Sequence, residues 1–211
     1  MTTMSDRCRS GDPGKSPGRP LGLRGQRKQR TRAAIREAAL RLFESQGYAQ
    51  TTVEQIAREA GVSHTTFFRY FVSKEQMVIA DDLDDLREET LAAIPPGLGR
   101  FDLLRELIRA YYRLAMADPW ASSSVRARLI TSEPTLRVAN QIEADAAISQ
   151  ATEFFARYLG VEADDRRLQV FVAAAGGVMF HIACGVPDMS DDGVLDHLLD
   201  AVDLLEAGLP I

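Results

Sequence analysis

The chain has 211 residues, 45% of them hydrophobic and 26% charged, with a formal net charge of -5. This is the composition of an ordinary soluble globular protein of one or two domains. Two cysteines, Cys8 and Cys184, exclude a disulfide framework, and the arginine-bearing N-terminus lacks the apolar stretch of a secretory signal, so a cytoplasmic protein is expected.

The charge is unevenly placed. Residues 1–80 hold 14 Lys and Arg against 7 Asp and Glu, whereas residues 81–211 hold 11 against 23. A basic head on an acidic body suggests that only the head meets a polyanion, the bland alternative being a solvated basic tail.

Residues 1–24 scatter Gly11, Pro13, Gly14, Pro17, Gly18, Pro20 and Gly22 among arginines, with too little apolar surface to offset ordering entropy, so disorder is expected. Beyond them no period-2 strand pattern occurs, and helices are expected throughout. The first runs from about Gln26 to Gln46, with Ile35, Ala38, Ala39, Leu42 and Phe43 on one face, Arg32, Arg36 and Arg41 elsewhere, and Gly47 as the stop. Thr52 with Gln55 makes a capping box for a short helix ended by Gly61, and Ser63 caps another with Phe67 and Phe71 on one face. Ser73 with Gln76 opens a long helix, Lys74 to about Ile94, that Pro95-Pro96-Gly97 breaks.

The rest reads as a bundle. Its helices are expected at Phe101–Asp118, Ser122–Ser132, Pro134–Gly160, Ala163–Cys184 and Ser190–Ala207, which gives nine in all and no sheet. The run Leu168–Pro187 carries no formal charge, yet Gln169, His181 and the Gly176-Gly177 pair make it a poor membrane span; a buried helix or a subunit interface is expected instead.

The informative stretch is Thr51–Phe71, TTVEQIAREAGVSHTTFFRYF: two short capped helices around a glycine turn, which is a helix-turn-helix or, failing DNA, a plain packing unit. Its second helix offers His64, Thr65, Arg69 and Tyr70 to a major groove.

The segment TRAAIREAALRLFESQGYAQTTVEQIAREAGVSHTTFFRYFVSKEQMV, residues 31–78, resembles the DNA-binding domain of the TetR/AcrR family of transcriptional regulators. Ala38, Leu42, Phe43, Gly47, Thr51, Thr52, Ile56, Ala57, Gly61, Val62, Ser63, Phe71, Lys74 and Glu75 carry the resemblance. It implies an all-α protein with an N-terminal three-helix DNA-reading head at 25–73 and a helical ligand-binding and dimerisation body at 74–211. It also implies a homodimer joined through 163–184 and 190–207, a palindromic double-stranded DNA operator, a small-molecule effector and no enzymatic role. Ser132, Glu133, Pro134, Leu136 and Arg137, with the FFRYF form, resemble the mycofactocin-type, acyl-CoA-responsive branch.

Thr51 and Thr52 are expected to meet phosphate at a helix start, and His64 and Thr65 to read base edges. Arg69, Tyr70 and Lys74 are expected to fix register on the DNA backbone, with Arg24, Arg27, Lys28, Arg30 and Arg32 as an arm or a diffuse electrostatic term. Phe68, where the family often has an aromatic hydroxyl, cannot donate to phosphate and is left out. Tyr111, Tyr112, Met116, Trp120, Phe154, Phe155 and His181 either line an effector cavity or fill core. Arg126, Arg128 and Arg137 either hold an anionic head group or stand solvated or paired with carboxylates. No cofactor, metal-ligand spacing, nucleotide motif or nucleophile–base pair is read. A non-specific architectural or partner-binding helical protein without an effector is the alternative function.

Overall fold

The computed structural model describes residues 23–186 and 193–209, all of whose regular structure is helical. Ten helices follow in order: α1 Leu23–Gln46, α2 Val53–Glu59, α3 His64–Tyr70, α4 Lys74–Ile79, α5 Asp84–Ala92, α6 Arg100–Ala117, α7 Ser124–Ser132, α8 Pro134–Leu159, α9 Arg166–Gly185 and α10 Gly193–Glu206. Most of the expected tail 1–24 and the expected start of the last helix at Ser190 lie outside the described residues, but α1 already begins at Leu23.

The head is built on caps. Thr52 Oγ1 accepts from Gln55 N–H while Gln55 Oε1 accepts from Thr52 N–H, so both halves of the box at α2 are made. Ser73 caps α4, yet Gln76 Oε1 turns instead to Val72 N–H, so that box is only half formed. Gly61 takes a φ of +67° between α2 and α3, a left-handed conformation that a side chain would strain. The turn thus fixed lets Ile35, Ile56, Phe67, Phe71 and Met77 meet in a single apolar cluster.

The expected helix Lys74–Ile94 is broken, which raises the count to ten. After Ile79 the chain runs through Ala80, Asp81, Asp82 and Leu83 before α5 starts. Competition for backbone partners explains the break. Asp81 Oδ1 accepts from Leu83 N–H, and the carbonyls at the end of α4 are claimed by side chains from elsewhere in the chain.

Two cores result. One joins α1–α4 to Ile130 of α7 and Leu136 of α8, so the end of the head packs against the body. The other lies between α6, α8, α9 and α10 around Leu103, Phe155, Val172 and Val202. Helices α8 and α9 approach closely because Gly176 faces Ile148, whose Cγ1 would lie 2.7 Å from any added Cβ. Helix α9 is long and apolar enough to cross a membrane by length and composition, and little of it is buried within the chain. The uncharged run is therefore no buried core helix. It leaves Val170, 62% exposed, with Ala173, Ala174 and Gly177 on an outer face.

Candidate nucleic-acid interface and body cavity

Helix α3 presents His64, Thr65, Phe68 and Arg69 on its exposed side, while Phe67 fixes the helix to the core from the other. His64 Nε2 lies 3.3 Å from Glu54 Oε1, and its ring meets the Phe68 ring edge-on at 4.7 Å. The Glu54 backbone N–H, the Thr52 hydroxyl and His64 together hold the Glu54 carboxyl below the usual carboxylate range. The Arg69 guanidinium lies over the half-buried Tyr70 ring at 5.2 Å. Phe68, set aside from sequence because it has no hydroxyl, is 45% exposed beside His64 and belongs to the same surface.

Thr51 and Lys74 face inward. Thr51 is 2% exposed; its hydroxyl donates to Gly47 O at 2.8 Å and accepts from Gln46 Nε2 at 3.1 Å, so it braces the loop instead of facing phosphate. Thr52 stays on the surface at the start of α2. The Lys74 ammonium donates to Tyr48 O and Thr51 O, each at 2.9 Å, and sits 4.0 Å from the Tyr48 ring centroid. Partial burial pushes its pKa below the ordinary lysine value. Its first role is to tie α4 to the loop before α2.

Two arginines expected off the apolar face of α1 are also buried. Arg32 lies 2.5 Å from Asp82, donates to Tyr70 O at 2.7 Å and stacks on Phe71 at 4.2 Å, so it is no part of a DNA-reaching arm. Arg36 meets Asp82 Oδ2 at 3.0 Å and donates to Ala80 O at 2.5 Å; burial pulls its pKa down to about 10 against the opposing pull of Asp82. Their helical spacing is right, but their chemistry answers a buried carboxylate that sequence alone did not place.

From the body, Trp120 Nε1 donates to Ala80 O at 3.1 Å, and Arg36 stacks over the Trp120 ring at 4.7 Å. Arg126 of α7 donates from Nε to Val78 O at 2.7 Å and from Nη2 to Ile79 O. The free carbonyls at the end of α4 are thus bound by one arginine from the head and by an arginine and a tryptophan from the body. Trp120 pins this joint and is not among the residues lining the cavity beside it. Arg126 is partly buried and makes no ion pair among the described residues, so of the expected alternatives carboxylate pairing is not the one seen.

Behind the joint lies a cavity of about 690 Å³ between α4, the α4–α5 connection, α5, α6, α7, α8 and α9. Tyr111 and Phe154 line it as expected, together with Leu91, Leu107, Ile130 and Phe180. Alanines at 115, 127, 144, 147, 151 and 183 leave the space that larger side chains would fill. Phe155 instead belongs to the body core, where its ring packs on Phe154 and Phe171. Tyr112 and Met116 are not among the lining residues, and His181 sits exposed on the outer face of α9. At the end nearest the head the walls carry Asp81, Asp84 and Arg87, which pair with one another, and Arg126. Among the described residues no group of three or more His, Cys, Asp and Glu side chains could hold a metal.

A family model described as bacterial regulatory proteins, tetR family, matches residues 35–80, and one described as the MftR C-terminal domain matches residues 98–210, more than half of the chain. The chain belongs to the TetR family of bacterial transcriptional regulators. The chain is 45% identical over 73 residues to the HTH-type transcriptional regulator TcmR of Streptomyces glaucescens, covering 35% of this chain and 32% of TcmR. The regulator BetI of Rhizobium meliloti is 39% identical over 101 residues, covering 46% of this chain and 48% of BetI. The chain therefore spans half or less of these two curated relatives. The crystal structure of Thermus thermophilus FadR, a TetR-family repressor in complex with lauroyl-CoA, superposes with a TM-score of 0.53 at 25% identity, covering 85% of this chain and 95% of that one. This TetR-family chain thus shares with FadR a fold in which a small helical head stands on a larger helical body.

Proposed function

We propose that this protein is a homodimeric, sequence-specific DNA-binding repressor released by a small apolar or amphipathic effector. Residues 25–73 read a palindromic operator, and residues 74–211 bind the effector and dimerise through 163–184 and 190–207. In this reading His64, Thr65 and Phe68 face base edges, Thr52 and Arg69 fix the backbone, and Tyr70 supports Arg69. The uncharged outer face of α9 and the exposed Leu204 of α10 supply apolar surface for the partner subunit.

The observation that carries the proposal is the shared wall. Ile79, Ala80 and Asp81 line the cavity, and the carbonyls of Val78, Ile79 and Ala80 are those that Arg36, Trp120 and Arg126 hold. A ligand that fits better when this wall moves shifts the population toward heads wrongly spaced for successive major grooves, which lie about 34–36 Å apart. A ligand indifferent to the wall shifts nothing. The lauroyl-CoA in FadR supports an acyl chain as the apolar part of the effector.

Fluorescence anisotropy of the full chain on DNA from its own upstream region, against scrambled DNA over a salt series, tests the reading. Saturable binding with a steep salt slope and preference for the upstream fragment is the expected result. Equal affinity for every sequence tried would instead favour an architectural role.

A further inference from the structure

The geometry points to Arg126 as the receptor for a carboxylate head group on the effector, seated at the end of the cavity nearest the DNA-binding head. The inference rests on the effector reading above and names the chemistry of the ligand.

Four arginines meet at the joint between head and body. Arg32 and Arg36 share Asp82, and Arg87 holds Asp81 and Asp84. Arg126 differs from all three. Its partners are the neutral carbonyls of Val78 and Ile79, and it makes no ion pair among the described residues. Burial pulls its pKa below the ordinary arginine value, with Asp81 and Asp118 opposing from a distance. Asp118 cannot turn toward it without losing the backbone N–H groups of Trp120 and Ala121, which it caps at 3.0 and 2.7 Å.

A part-buried guanidinium whose hydrogen bonds go only to carbonyls is less compensated than its ion-paired neighbours, which favours an anion that can reach it. Arg126 lines the cavity, and Nε and Nη2 are the nitrogens turned to the backbone. The other edge of the planar fork, Nη1 with the outer N–H of Nη2, is left for a carboxylate, whose two oxygens match it. The apolar remainder of the ligand runs along Tyr111, Leu107 and Phe154 into the space left by Ala147 and Ala151. The cavity volume lies within the range of sites that enclose drug-sized ligands. A carboxylate drawing Arg126 toward the cavity weakens its hold on Val78 and Ile79, so recognition and release use one side chain.

The test uses three twelve-carbon probes with different heads, dodecanoate, dodecanol and dodecylamine, titrated calorimetrically into the full-length protein. Dodecanoate is expected to bind at least tenfold more tightly than dodecanol, with dodecylamine weakest. Arg126→Met is expected to abolish the preference for dodecanoate over dodecanol, and Arg126→Lys to keep part of it. Equal affinity of the wild-type protein for dodecanoate and dodecanol overturns the inference without needing a variant that folds. Binding of dodecanol alone would do the same and leave the effector cavity standing. Binding of none of the three would overturn both.

Discussion

The head and the body solve opposite packing problems. In the head, α2–α4 are short and each starts on a side-chain cap, and Ile35, Ile56, Phe67 and Met77 are fully buried in one cluster. In the body, alanines of α6, α7, α8 and α9 leave a cavity beside the core, and α9 leaves Val170, Ala173 and Ala174 on an exposed outer face. A unit that must present α3 at a fixed angle is filled solid. On the proposed reading, a unit that accepts a ligand and a second subunit keeps space and apolar surface open.

Core truncation should separate the two regions most sharply. Phe67→Ala removes a fully buried ring from the head and is expected to cost about 3–5 kcal/mol. A urea melt that loses less than about 1 kcal/mol would show the head core to be looser than described. Next comes the joint. Asp82→Ala leaves Arg32 and Arg36, whose side chains are 10% and 5% exposed, without their carboxylate, an expected loss of roughly 3 kcal/mol. DNA affinity should fall with it even though Asp82 lies away from α3.

The Tyr48–Glu75 contact gives a smaller effect with a pH signature. The Tyr48 hydroxyl donates to Glu75 Oε1 at 2.9 Å; burial first, then that bond and the charge of Glu75, raise the phenol well above its ordinary 10.0. A raised folded pKa means that this contribution is full below about pH 10 and is lost as pH rises beyond it. Glu75 is desolvated, but its own backbone N–H, Tyr48 and Ser73 outweigh burial and hold it below its ordinary 4.5. Its contribution is full above that value and is lost as pH falls through the lowered one. Tyr48→Phe should cost about 1 kcal/mol at pH 7 and flatten the alkaline limb of a stability–pH curve; an unchanged alkaline limb would remove Tyr48 as its source.

Filling the cavity should cost the fold least. Ala147→Leu adds volume where space already exists, so its stability is expected to stay within about 1 kcal/mol of the wild type while any ligand response disappears. A loss above about 3 kcal/mol would mean that the space closes in solution.

The same contrast explains what was legible in the sequence. Helix starts in the head are written locally: Thr52 with Gln55 and Ser63 with Thr66 are neighbours in the chain, and Gly61 marks its own turn. The all-α class, the helix-turn-helix and the exposed His64, Thr65 and Arg69 followed from such signals. Thr51 was placed on the DNA side because a helix start attracts phosphate, and Lys74 as a cation fixing register on the DNA backbone, but Thr51 turns back to Gly47 and Lys74 spans to Tyr48, 26 residues earlier. The break at Ala80 was hidden because its partners Arg36, Trp120 and Arg126 lie about 40 residues away on either side. Tyr111 and Phe154 were found by being aromatic, yet Phe155 and Trp120 share that property and pack elsewhere. What makes the cavity is the alanines, whose only signal is their small size.

On the proposed reading, the joint around Ala80 couples the DNA-reading head to the cavity in the body. Trp120, the chain's single tryptophan, lies on the body side of that joint and reports on it directly. Its emission should be followed while upstream DNA is titrated to saturation, with DNA anisotropy recorded in parallel. Coupling predicts a change in Trp120 emission with the same midpoint as the anisotropy. Full DNA binding with unchanged Trp120 emission would contradict it.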